Sequence, residues 1–373
     1  MTEKKLLFTP GPLTTSDTVR QAMMRDMGSR DAEFLDVVRN IRRRLLALGN
    51  AAGEYEAILM QGSGTFAVES VIGSILPSEG KLLVLINGAY GHRMAKIART
   101  LGIDTEVLVF PESCPVNSDE VRWALARHPT VTHVGVIHCE TTTGLMNPVE
   151  GIGTVVKEGG RVFLVDAMSS FGGVHMDLPS CGIDFLVSSA NKCIQGVPGF
   201  GFVLARRDLL LAAEGRARSL SLDLVAQWKG LESDGQFRFT PPTHVLLAFW
   251  QALLELEAEG GVAGRAARFA ANQRTLMEGM TALGFKAYLA PEFQSSIITS
   301  FFYPSHPNFE FKSFYQRLGE QGFVIYPGKV SDADCFRIGT IGHLFPDDLR
   351  SLVAAIGRTL EAMQVEMPRV GKV

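Results

Sequence analysis

The stretch that decides the fold runs from Val162 to Lys192. It opens with Val162-Phe163-Leu164-Val165-Asp166-Ala167-Met168-Ser169-Ser170 and closes with Phe185-Leu186-Val187-Ser188-Ser189-Ala190-Asn191-Lys192. Each end is a short run, apolar at its start, that leads to a charged residue. A run that is apolar at every position predicts a strand covered on both faces, as in a parallel sheet. Ligands of such sheets gather at the carboxyl ends of the strands. Asp166 and Lys192 both fall there, so one crevice can hold them. A carboxylate ending a buried strand needs a partner to offset its desolvation, either a helix N-terminus or a bound cationic group. Lysine normally seeks water. Among small and apolar neighbours, Lys192 either snorkels at a strand end or has its pKa lowered enough to serve as a nucleophile.

Outward from this stretch, the same grammar repeats. β-like runs occur at 57–60, 81–86, 105–110, 132–138, 161–165, 183–188 and 201–205, with helical patterns such as 89–101 and 118–128 between them. Alternation of this kind predicts an α/β domain with a mostly parallel central sheet. Past residue 244 the character changes. Long helical patterns at 245–259 and 263–283 lead to β-like runs at 297–302 and 335–338 and a last helix at 346–363, which predicts a smaller α+β domain. The expected division is an N-terminal segment, 1–15, near the active site; a large cofactor-binding domain, 16–250; and a small C-terminal domain, 251–373.

Bulk properties exclude several classes. The 373 residues carry a net charge of −3 with interspersed signs, which gives no field suited to nucleic acid or an anionic membrane. The Arg42-Arg43-Arg44 cluster reads as a solvated helix face. No apolar run reaches membrane-spanning length, and the N-terminus lacks a signal-peptide core. The five cysteines are scattered, without a C-x-x-C pair, as in a reduced cytoplasmic protein.

Other candidates cluster after the apolar runs. Gln61-Gly62-Ser63-Gly64-Thr65-Phe66 stands between a strand and a helix, where backbone N–H groups and the Ser63 and Thr65 hydroxyls suit a phosphate. The same glycines loosely fit a dinucleotide fingerprint, which leaves a nicotinamide-dependent oxidoreductase as a remote alternative. Tyr90, after Asn87-Gly88-Ala89, can stack on a flat cofactor or be a half-buried helix-start residue. Arg337, in Cys335-Phe336-Arg337-Ile338, is either a bidentate carboxylate clamp or an edge-strand residue facing water. His138-Cys139-Glu140 matches half of a zinc-deaminase motif, but no P-C-x-x-C follows, so no metal site is expected.

Together these segments resemble the fold-type I, class V pyridoxal-phosphate-dependent aminotransferases. The likeness spans nearly the whole chain. It is carried by Phe8-Thr9-Pro10-Gly11-Pro12-Leu13-Thr14-Thr15, the Gln61–Glu69 and Asn87–Gly91 segments, Glu140-Thr141-Thr142-Thr143-Gly144, and above all the segments around Asp166 and Lys192. It implies that Lys192 carries pyridoxal 5'-phosphate as a Schiff base, that Asp166 pairs with the pyridine nitrogen, and that Tyr90 stacks on the ring. It further implies that Ser63, Gly64 and Thr65 hold the phosphate, and that Thr141, Met168 and Asn191 complete the cofactor pocket. Thr240 would reach the phosphate in a neighbouring subunit, making a homodimer with interfacial active sites. Arg337 would bind the substrate carboxylate. Within the family the chain is most similar to the branch acting on 2-aminoethylphosphonate and pyruvate. A phosphonate needs cationic or N–H donors, for which Arg30 and Arg337 are candidates, with the Gly11-Pro12 turn close by. Alanine–glyoxylate or serine–pyruvate exchange is the alternative within the same chemistry.

Overall fold

The computed structural model describes residues 5–367, so the outermost residues of the expected N-terminal segment and small domain lie outside the description. Seven strands form the main sheet: β1 (Tyr55–Gln61), β2 (Lys81–Ile86), β3 (Asp104–Val109), β4 (His133–Ile137), β5 (Val162–Asp166), β6 (Phe185–Ser189) and β7 (Phe200–Arg206). Their order across the sheet is β1-β7-β6-β5-β4-β2-β3. All neighbours are parallel except those of β7, which runs antiparallel to both β1 and β6. The expected α/β class and the strand positions hold, with ends shifted by a residue or two.

Helices cover the sheet. The first to matter is α1 (Ala32–Leu48), whose Phe34, Val37, Val38, Ile41 and Leu45 are buried at helical spacing against the core. Arg43 on this helix is exposed, but the solvated-face reading fails for its neighbours. Arg42 donates through Nε to the Ala57 carbonyl at 2.7 Å, and Arg44 pairs with Glu257 at 2.6 Å. Both of these heads are paired and Arg44 also lies over the Trp250 ring, so the two serve packing.

Helix α2 (Gly64–Ile75) packs against β7 and β6 and is buried on most of its circumference. Its approach to β7 is close because Gly201 lacks a side chain: a Cβ there would lie 2.8 Å from Ala67 Cβ. This packing aims the N-terminus of α2 at the end of β6. Helix α3 (Ala89–Thr100) follows β2 in the same way.

A second apolar core gathers Phe8, Leu276, Met280, Phe301, Phe314, Phe336, Ile338, Leu352 and Ile356. It packs around β8 (Ile298–Phe302), β9 (Tyr326–Pro327) and β10 (Cys335–Gly339), ordered β8-β10-β9. The N-terminal segment joins this core, because Leu6–Leu7 pairs in parallel with Phe323–Val324 and Phe8 is fully buried. No helix among the described residues is long and apolar enough to cross a membrane.

Candidate active site

β5 and β6 end side by side and deliver Asp166 and Lys192 to one cavity of about 200 Å3, whose lining includes Ser63, Thr65, Tyr90 and Asn191. After β6 the chain turns back sharply: Gly196 N–H donates to the Ala190 carbonyl at 2.9 Å and Gln195 N–H to the Lys192 carbonyl at 2.8 Å. A Cβ on Gly196 would stand 2.8 Å from that Ala190 oxygen, so the turn requires glycine. This loop holds Lys192 inward, where Nζ donates to the Pro10 carbonyl at 2.7 Å. Gly11 lies against it, as a Cβ there would be 2.5 Å from Nζ. Burial is the main cause that lowers the Lys192 pKa, and nearby Arg337 adds to it, against the pull of Tyr90, Cys193 and Asp166.

Asp166 accepts the Met168 N–H on Oδ1 at 2.9 Å, and no donor among the described residues reaches its other oxygen. The helix-capping alternative is therefore not what holds it. Burial pushes its carboxyl up to about 6, despite the Met168 N–H and the positive charges of Lys192 and Arg93. A buried carboxylate short of donors gains from a bound cationic group.

At the start of α2, Ser63 occupies the cap position but its hydroxyl makes no capping bond. The first N–H groups of a helix lack internal partners and attract anions. Gly64 lies close against Met168, and a Cβ there would displace the end of that side chain. This end of the cavity could hold a phosphate. The donors, the under-paired Asp166 and the amine of Lys192 are the features that pyridoxal phosphate requires of a site.

Tyr90 also lines the cavity, and its neighbours are cationic: Lys329 Nζ lies 4.3 Å and Arg93 Cζ 4.9 Å from its ring centroid. Burial raises the phenol pKa, but the hydrogen bond with Thr141 and the charges of Lys329, Lys192 and Arg337 outweigh it, so the net direction is down. Arg337 stands in the middle strand of its sheet and is buried, which overturns the reading of a water-facing edge residue. Its Nε donates to the Pro327 carbonyl at 2.9 Å and Nη1 to the Thr141 carbonyl at 2.7 Å. Thr141, Met168 and Asn191 line the cavity as well.

Arg30 and Thr240 are not brought to this cavity within one chain. Both are exposed and line a separate hollow with Ser29, Gln236, Phe239 and Pro241.

Sequence reasoning placed Glu140 after an apolar run but gave it no role of its own. It is fully buried below the start of α3 and accepts the N–H groups of Tyr90 at 3.2 Å and Gly91 at 3.3 Å and the Thr142 hydroxyl at 2.7 Å. Burial raises its pKa to about 7 in spite of those donors. Its signal was the carboxylate directly after an apolar strand, which the zinc comparison passed over. No group of metal-ligating side chains occurs among the described residues.

Comparison with known proteins accords with this geometry. Residues 15–331 match the family described as Aminotransferase class-V. A 2-aminoethylphosphonate–pyruvate transaminase of Syntrophobacter fumaroxidans is 59% identical over 351 residues, covering 94% of this chain and 95% of the relative. One from Bacillus cereus is 52% identical, covering 96% and 99%. The crystal structure of an alanine–glyoxylate aminotransferase from Nostoc superposes with a TM-score of 0.91 at 25% identity over 96% of each chain. Pyridoxamine–pyruvate aminotransferase from Mesorhizobium loti shares the fold, with a TM-score of 0.88 at 23% identity over 97% of this chain and 93% of that one. With a lysine and a carboxylate converging at the strand ends and a family match over most of its length, this chain belongs to the class-V aminotransferases.

Proposed function

We propose that this aminotransferase moves the amino group of 2-aminoethylphosphonate to pyruvate, giving phosphonoacetaldehyde and L-alanine. The observation that carries the substrate pair is the near-full-length likeness, at 52–59% identity, to relatives bearing that name. The cofactor is pyridoxal 5'-phosphate, which when bound supplies a carbonyl that takes up the amine and a ring that draws electrons from the reacting carbon.

The chain's own residues divide the remaining work. Ser63, Gly64 and Thr65 would hold the phosphate at the start of α2, and Asn191 would lie beside it. Asp166 would keep the ring nitrogen protonated, which also relieves its own desolvation. Tyr90 would support the ring face, with Met168 and Thr141 at the walls. Lys192 would anchor the cofactor and, once displaced by the substrate amine, take up and return the proton at Nζ. Its lowered pKa favours the neutral base that this step needs. Arg337 would receive the carboxylate of pyruvate. Donor and acceptor use the crevice in turn, so the reaction is ping-pong.

The proposed assembly is a homodimer. What supports it is an exposed apolar patch beside the start of α2: Phe66 is 52% exposed, Phe239 45% and Leu220 77%. The patch is continuous with Thr240, because Gln61 Nε2 donates to the carbonyls of Phe239 and Thr240 at 3.0 and 3.3 Å. A partner's Thr240 and Arg30 would then complete the site across the interface. The proposed domain division is at residue 250; the first core extends a little past it to Leu256, and the second takes over from Leu276. A cytoplasmic location accords with the unpaired cysteines.

The test is alanine formation by cofactor-loaded protein given pyruvate and either 2-aminoethylphosphonate or a panel of amino acids. Turnover confined to the phosphonate supports the reading. Turnover confined to amino acids keeps the cofactor chemistry and rejects the substrate.

A further inference from the structure

We propose that Lys329 is the cation that separates the phosphonate of the amino donor from the carboxylate of the acceptor; this rests on the substrate pair proposed above. Lys329 lies in the segment between β9 and β10. That segment reaches across to the large core, where Ser331 N–H donates to Glu112 Oε2 at 2.8 Å. It brings the ammonium of Lys329 to 4.3 Å from the ring centroid of Tyr90, a wall of the Lys192 cavity.

Charge in this neighbourhood is unevenly settled. Asp332, on the same segment, accepts the Tyr288 hydroxyl at 2.9 Å, and Glu112 is engaged by Ser331. No ion pair of Lys329 with a carboxylate is found among the described residues, and it is only partly buried. Arg337, in contrast, is fixed by its bonds to the Pro327 and Thr141 carbonyls.

Ping-pong transfer requires the same crevice to accept two different anions in turn. A carboxylate is planar and singly charged, which suits a fixed guanidinium fork. A phosphonate is tetrahedral, has an additional oxygen and approaches a double charge, as phosphate groups do near neutral pH. The additional oxygen and charge call for a second cation that need not be engaged when the carboxylate is bound. A lysine is a point charge on a flexible stem and can swing to the larger anion and withdraw from the smaller. Lys329 has that freedom and Arg337 does not.

The experiment uses the loaded enzyme and follows the two half-reactions separately by the cofactor's absorbance, one with 2-aminoethylphosphonate and one with L-alanine. K329M should lose about tenfold or more in efficiency with the phosphonate, as expected for removal of a charge-assisted contact, and less than about threefold with alanine. K329R should restore most of the phosphonate rate. Equal loss in both half-reactions, or no loss in either, overturns the proposal. A wild-type enzyme that ignores 2-aminoethylphosphonate but turns over alanine refutes the substrate reading itself, and the role of Lys329 falls with it.

Discussion

Replacing Asp166 with Asn should make the cofactor-free protein more stable at pH 8 while removing most of its activity. The carboxyl is raised from 3.8 to about 6, chiefly because burial disfavours its charged form. At about 1.4 kcal/mol per tenfold change in the protonation equilibrium, ionised Asp166 costs about 3 kcal/mol relative to an exposed carboxylate. The sign follows from proton counting. Between the two pKa values the folded chain binds more protons than the unfolded one, so this contribution to stability declines as pH rises through 3.8 to 6 and is level above. Asn keeps an oxygen for the Met168 N–H and carries no charge. The D166N chain should therefore exceed wild type by up to about 3 kcal/mol at pH 8, and by about half of that at pH 5. Glu140, raised to about 7, and His138, lowered to about 4, titrate in the same region but are common to both chains and cancel in the difference. Urea unfolding of both cofactor-free chains at the two pH values measures this gap. Reloaded D166N should lose about a hundredfold or more in turnover, the scale of removing one preorganised electrostatic partner. A D166N chain no more stable than wild type at pH 8, or a gap that widens toward pH 5, would refute the argument that burial makes ionised Asp166 costly to the folded chain.

Three further outcomes are expected. K192A should leave folding intact and abolish turnover, with no cofactor absorbance that survives dialysis; retained turnover would remove Lys192 from the mechanism. G88A should lower stability by about 1–3 kcal/mol, the usual cost of overpacking, because its Cβ would collide with the Glu140 side chain that holds the Tyr90 and Gly91 N–H groups. The backbone at Gly88 is extended, with φ at 171°, so the collision alone is responsible, and a thermal melt equal to wild type would contradict it. The double variant F66D/L220D should sediment as a monomer and lose activity with it, whereas an unchanged dimer would place the interface elsewhere.

Much of the cofactor site was legible because it follows from strands whose ends are marked by charge. β5 and β6 are apolar where they cross the core, and Asp166 and Lys192 stand where those runs stop. Gly64 could be placed between a strand and a helix, though not that Gly201 lets α2 seat against β7. Glu140 was passed over because its neighbours His138 and Cys139 suggest metal chemistry, while its true partners, the N–H groups of Tyr90 and Gly91, lie about fifty residues away and leave no local pattern. Arg337 was ambiguous for a related reason: an arginine in a β-like run reads the same on an edge strand and in a middle strand, and only the β8-β10-β9 order buries it.

Local pattern alone was therefore enough to determine the α/β class, the succession of elements and the strand-end positions of Asp166 and Lys192, since periodicity and strand-end placement are properties of short segments. Everything that depends on distant segments meeting was decided by the tertiary structure. The return of Pro10 to Lys192, the placement of Lys329 over Tyr90, the burial of Arg337 and the separation of Arg30 and Thr240 from the cavity are of this kind. Such contacts arise from burial of two apolar cores and the crossing of chain between them, a condition on the whole molecule that no window of sequence contains.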